Sequence, residues 1–343
     1  MTVPVPIPLA TLEVKVRRSC RLAAIALATL CLGVCVGRSP VGAQGRWDPK
    51  TPKLPMARTW VAYKATLPPY RAPRTPDGTP DLQGFWGGPG GGAGDDMEEH
   101  GYLDQTTPPQ ESYVSDPSDG KIPYTAWALA KRNEHRAGLA RGWSGETGER
   151  LYADPASFCM AMIGPRVNIG EIIQRPGSVI LVAGTGRGYR VIPMDGRPHL
   201  GGGATFWRGN ARGRWDGDTL VVEVTGLNGR HWFDSVGNFY SENTRMTERL
   251  TMVDANTIDY ALTVEDPTIY TRPWTMNYPV RRAGSGGTDR VTGKYAWRDA
   301  VAVDPDPYAR EVWENTCNEG VGYTIDGLRT LGFKWYRGVT PSR

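Results

Sequence analysis

Two stretches in the second half of the chain fix the class of fold open to it. In "TLVVEVT", Leu220, Val222 and Val224 fall on one side of an extended chain, and Thr219, Val221, Glu223 and Thr225 fall on the other. In "TIDYALTVE", Ile258, Tyr260, Leu262 and Val264 alternate with Thr257, Asp259, Thr263 and Glu265. Side chains of a strand point alternately to opposite faces, so a period of two with one apolar side marks half-buried antiparallel strands.

Turn chemistry extends the pattern. Asp216-Gly217 is a two-residue hairpin signal between Arg214-Trp215 and Asp218-Thr219, and Asp254-Ala255-Asn256 suits a three-residue turn before Thr257. Candidate strands lie near Gly84 and over 169–175, 178–184, 187–193, 218–225, 244–253, 257–265 and 273–281. Eight meandering antiparallel strands predict an up-and-down barrel, wide enough inside for side chains and one small ligand. A two-sheet sandwich satisfies the same pattern. With 43 Gly and 28 Pro, the composition favours many turns and short strands over a helix bundle.

Around this β-rich domain, set at 80–343, the remaining segments read differently. Residues 44–79 are rich in Pro, Lys and Arg without apolar periodicity and predict an extended arm lying on the domain. "GGPGGGAGDD" is a flexible loop by composition, and no Gly-Lys-Ser/Thr follows it to cradle a phosphate. A helical insertion is expected near 123–140, where Pro123 suits a first turn and "YTAWALAKRNEHRAGLA" supplies helix formers. "GYTIDGLRTLGF" reads as a short closing helix.

Residues 1–43 carry the marks of a secretory leader. Arg17, Arg18 and Arg21 precede an apolar run from Leu22 to Val36, and Val41-Gly42-Ala43 offers a small-residue cleavage site. The run is shorter than the ~20 residues a membrane-spanning helix needs, so no stable anchor is expected after cleavage. The arginine pair admits twin-arginine export as well as the general route. The leader holds five of the 40 basic and one of the 36 acidic residues, leaving 35 of each. A mature chain without net charge has no field with which to hold nucleic acid or an anionic membrane.

Two cysteines remain beyond the leader, Cys159 and Cys317. In an oxidising compartment an even pair reads as a disulfide, which for so long a loop would stabilise by roughly 4–5 kcal/mol. Two buried thiols are the competing reading, and a catalytic thiol is a third.

"TPDLQGFW" contains the Gly-x-Trp of Gly84 to Trp86, similar to the first strand of lipocalin-like barrels, in which the Trp plugs one end. A broader likeness runs over roughly residues 75 to 335. "KIPYTAWALA", "DPASFC", "PGSVILV", "MDGRPH", "GRWDGDTLVVEVTG", "MTERL", "TVEDPTIYTRPWT" and "ENTCNEG", in that order, resemble a family of secreted bacterial proteins of unknown function. The likeness implies a common fold and export and carries no activity. The chain departs from that family at Asn318 and Tyr240, where histidines are common, and keeps His199.

Candidate chemistry is sparse. His100, His135, His199 and His231 have neither helical nor zinc-type spacing, so no metal and no cofactor is implied, and the common nucleophile signatures are absent. His199 is the best acid–base candidate, with Asp195 as the carboxylate that would hold its tautomer; alternatively both are the polar rim of a turn. Strand parity supplies a second site. If Met246, Leu250 and Met252 face the core, so does Glu248, and Arg190, on the same face as Ile192, can reach it. That pair would be a structural ion pair or the polar end of a ligand cavity, unless a bulge turns Glu248 outward. Trp207, Trp215, Trp232 and Trp274 sit at strand ends or turns, where they would either ring a cavity mouth or plug the core.

Three functions fit: a periplasmic or extracellular barrel binding a small apolar or aromatic ligand, a hydrolase, lyase or isomerase using His199 with Asp195 or Glu248, and a structural envelope protein with an exposed apolar patch. The binding barrel is favoured. The oligomeric state is left open.

Overall fold

Each strand-forming segment contributes one face to a shared interior, and the sheet curls to enclose it. The computed structural model describes residues 53, 56–87, 96–101, 109–143, 154–158, 161–166, 169–183, 188–201, 203–282 and 336–339. The leader, Cys159, Cys317 and the "GYTIDGLRTLGF" segment lie outside the described residues.

Ten strands form one sheet: β1 (Gly84–Gly87), β2 (Val114–Asp116), β3 (Ile169–Arg175), β4 (Ser178–Ala183), β5 (Tyr189–Pro193), β6 (Asn210–Asp216), β7 (Thr219–Thr225), β8 (Arg245–Asp254), β9 (Thr257–Glu265) and β10 (Trp274–Arg282). Nine follow the order β5-β4-β3-β1-β10-β9-β8-β7-β6, each antiparallel to its neighbours. Within it β1 joins two meanders by pairing with β3 on one side and the Arg281–Arg282 end of β10 on the other. The short β2 pairs with the opposite end of β10, at Thr275 and Met276. The end strands β5 and β6 pack against each other, so the sheet is a nearly closed barrel. A sandwich would need two sheets, and this is one.

The alternation seen in the sequence sets the interior. Cross-strand register aligns Gly213, Val222, Glu248, Leu262 and Met276 in one inward row, with Leu220, Leu250, Tyr260 and Tyr278 in the next. Parity fails at the strand starts and at one interior position: Thr219 and Val221 of β7 and Thr257 of β9 were expected on the polar faces yet are buried, so those faces are covered there. The first turn has the two residues the sequence suggested, shifted by one position, and the second is one residue tighter. Asp216 pairs with Thr219 across Gly217-Asp218, and Asp254 pairs with Thr257 across Ala255-Asn256. Gly217 has φ +59°, a conformation in which other residues are strained, which places it in the turn itself.

The extended arm is corrected in part. Its residues Ala57–Lys64 form a helix, α1, which packs on β10. Trp60 Nε1 and Lys64 Nζ donate to the two oxygens of Asp259 on the outer face of β9, each at 2.7 Å. Eight residues are too few for a stable isolated helix, so these tertiary contacts supply what local propensity does not. The second helix, α2, spans Ala126–Trp143 and starts three residues after Pro123, because the segment before it is drawn into bridging Tyr124 to Tyr270. His135 of α2 stacks on Trp232 at 5.1 Å, and Trp127 donates to the carbonyl of Thr268. Among the described residues no helix is long and apolar enough to cross a membrane.

The seam between β5 and β6 rests on an absent side chain. A Cβ at Gly213 would overlap Met194 Sδ and stand 2.7 Å from Cγ2 of the fully buried Ile192. Gly213→Val is therefore expected to destabilise by about 1–3 kcal/mol through overpacking. A urea midpoint equal to that of the unsubstituted protein would show that β5 does not pack across β6.

Candidate functional site

A carboxylate pointing into a barrel must find a cation or be protonated, because an isolated buried charge costs several kcal/mol or more. Glu248 is flanked on its row by Val222 and Leu262, which offer it no hydrogen bond, so its polar partners come from elsewhere. Its side chain is only 4% exposed. Tyr260, one row along on β9, donates its hydroxyl to Oε1 at 2.6 Å. Arg190 of β5 reaches across the interior, placing Nη2 at 2.5 Å from Oε2. Burial first, and the Glu248 charge second, raise the Tyr260 phenol well above its ordinary range, so it remains a donor.

Arg208, on the segment between β5 and β6, lines the same recess, where burial and then the neighbouring Arg190 charge pull its pKa below the usual value. Arg190 Nη1 is buried without a hydrogen-bond partner, an uncommon state for a charged donor. Met162, Ile163 and Leu181 supply the apolar wall, and the free volume between them is about 20 Å³. That holds one water-sized group.

His199 is arranged differently from the expectation. Asp195 is exposed and its carboxylate is held by its neighbour Arg197, whose Nε lies 2.6 Å from Oδ2 and whose hydrogen bond lowers the Asp195 pKa. The ring of His199 instead meets Asn210 Oδ1 through Nδ1 at 3.2 Å. The same oxygen accepts the amide of Leu200, so it is an acceptor and Nδ1 must carry the proton. Nε2 is buried without a hydrogen-bond partner. Neither His199 nor Asp195 lines the recess beside Glu248, so the structure does not bring the three together.

The four tryptophans do not ring a mouth. Trp232 and Trp274 are fully buried, the first against His135 and Tyr336, the second edge-on to Phe233 and Tyr270. Trp207 is half-buried, and Trp215, also half-buried, borders a separate surface groove with Met194 and Asp77. Trp86 of the Gly-x-Trp stretch is buried, donates to the carbonyl of Leu82, and lies under the Arg282 guanidinium at 4.2 Å.

A second buried polar cluster has no periodic signal in the sequence. Asp96 pairs with Arg136 at 3.2 Å, while Asp234 accepts the backbone amides of Met97, Val236 and Asn238. Burial, and next the charge of Asp96, push the Asp234 carboxyl up to about 7. Nearby His135 is pulled down to about 4 by burial.

Two predictions follow from these burials. Arg190→Met strands a buried carboxylate and is expected to cost about 3–5 kcal/mol, whereas Arg190→Met with Glu248→Leu restores an apolar contact and costs far less. Equal losses in chemical denaturation would show that the pair is not buried. The pH dependence carries opposed slopes. His135 takes up a proton in the unfolded chain near 6.5 but in the folded one only near 4, so its contribution is complete above 6.5 and is lost as pH falls. Asp234 runs the other way, stabilising at acid pH and losing its contribution as pH rises from 3.8 through about 7. Stability followed by urea midpoint should therefore fall more steeply from pH 7 to 4 in Asp234→Asn, and less steeply in His135→Gln. Parallel profiles would refute both assignments.

No family model, curated protein or solved structure matches the chain, so its function is argued from this geometry.

Proposed function

We propose that the protein is exported and binds a small ligand with an apolar or aromatic body inside the barrel, with the Arg190–Glu248–Tyr260 cluster as the polar end of the site. The observation that carries this reading is the incomplete satisfaction of that cluster: a purely structural ion pair would use its donors, and Arg190 Nη1 is unused. The recess, walled by Met162 and Ile163, takes one polar group of the ligand. Export rests on the leader-like residues 1–43 and on the resemblance to secreted bacterial proteins, and a Cys159–Cys317 disulfide belongs to the same reading.

Acid–base catalysis by His199 has less support, since Asp195 is occupied by Arg197 and Glu248 by Arg190. An interaction role has one observation in its favour: Tyr189, Val191, Leu200 and Phe206, all on or just after β5, are 42–66% exposed.

Native mass spectrometry on protein recovered from an exporting host tests the main reading. The expected species starts at Gln44, has no free thiol and carries a small molecule in near-stoichiometric amount, which is absent from the Arg190→Met/Glu248→Leu protein. A ligand-free species that binds nothing on incubation with apolar extracts, or a dimer held through β5, would move the assignment to the interaction role.

A further inference from the structure

We infer that the ligand's polar group is an uncharged hydroxyl, which accepts a hydrogen bond from Arg190 Nη1 and donates one to Glu248 Oε2. This rests on the ligand-binding reading above and adds the chemical class of the ligand, an apolar alcohol or phenol. Three features of the recess lead to it.

Hydrogen-bond supply comes first. Tyr260 serves Glu248 Oε1, whereas Oε2, although Arg190 Nη2 stands 2.5 Å from it, is a buried acceptor without a hydrogen bond. Arg190 Nη1, the other terminal nitrogen of the same guanidinium, is a buried donor without one. A group that completes both must donate and accept at once. A hydroxyl does so from a single oxygen, while a carbonyl, ether or carboxylate only accepts and an ammonium only donates.

Charge comes second. Within the pair Arg190 and Glu248 cancel each other, so an ion of either sign would meet a like charge beside its partner: a carboxylate would face Oε2, and an ammonium would face the guanidinium. Size comes third. The free volume of about 20 Å³ beside Met162, Ile163 and Leu181 admits one water-sized group, which suits a hydroxyl and excludes a primary amide, whose donor and acceptor are separate atoms. Water can serve the same two side-chain atoms, so a ligand entering here must replace both bonds to avoid losing affinity. Neither a methyl group nor an acceptor-only carbonyl can do that.

The test is calorimetric titration of the exported protein with probes of one shape: benzyl alcohol, benzaldehyde, ethylbenzene, benzoate and benzylamine. Benzyl alcohol is expected to bind roughly tenfold to a hundredfold more tightly than ethylbenzene, the range of one or two hydrogen bonds to charged groups. Benzaldehyde, which can satisfy only Arg190, should fall between them, and the two ions should bind weakest. In the Arg190→Met/Glu248→Leu protein ethylbenzene should bind at least as tightly as the alcohol, and the molecule that co-purifies with the unsubstituted protein should carry a free hydroxyl. Ethylbenzene binding as well as benzyl alcohol overturns the hydroxyl assignment and leaves the ligand-binding barrel standing, as does a preference for the alcohol that survives in the double variant. Tightest binding by benzoate or benzylamine overturns it in favour of an ion. Failure of every probe to bind a folded protein overturns it too, and the broader reading then depends on the co-purified molecule alone.

Discussion

The contact between Glu248 and Arg190 is the constraint from which the closed shape follows. In the strand order of the sheet, β5 stands at one end and β8 six places away. In a flat sheet, six spacings of about 4.8 Å would hold those strands about 29 Å apart. A nitrogen–oxygen distance of 2.5 Å between their side chains is possible only if the sheet curls until its ends meet. Curling in turn brings β5 against β6, and only a glycine at position 213 leaves room there for Ile192 and Met194. The charged pair, the missing side chain and the seam are thus one arrangement seen from three sides.

That dependence explains what the sequence reveals and what it conceals. Strands β7 to β10 are readable because each buries large apolar residues at every second position. β6 is not, since its sequence "NARGRWD" places Ala211 and Gly213 inward, and the tight packing that defines the strand is the reason its apolar signal is erased. β2 has three residues, too few for any period. α1 depends on partners far along the chain, among them Asp259 for Trp60 and Lys64 and Glu111 for Thr59, so no local rule reports it.

The candidate site divides along the same line. Glu248 and Arg190 are found from strand parity alone, because a carboxylate on the apolar face of a regular strand has nowhere to point but inward. Tyr260 lies on the inward face of the next strand and was open to the same argument. Arg208 follows no strand pattern and reaches the recess only through the fold. His199 shows the opposite failure: nearness in sequence suggested Asp195, but a carboxylate two residues from an arginine on an exposed turn is satisfied locally, and the tautomer is set by Asn210 across the seam. Trp232 and Trp274 take the second of the two places open to them, because strand ends here are covered by α2 and the segments around it, which turn them into core.

The interior is uneven in a way that bears on function. Near Trp274 it is filled by large rings, Phe233 and Tyr270 edge-on to Trp274 and Tyr240 tilted against Phe233, whose burial contributes about 3–5 kcal/mol each. In the row next to Trp274, that of Met276 and Leu262, Glu248 brings in charge, and an apolar pair in place of a buried ion pair costs little stability. Stability therefore gives little reason for the ions. A barrel that is firmly packed at one part of its core and incompletely satisfied at Arg190 has the division of labour that the proposed binding site requires.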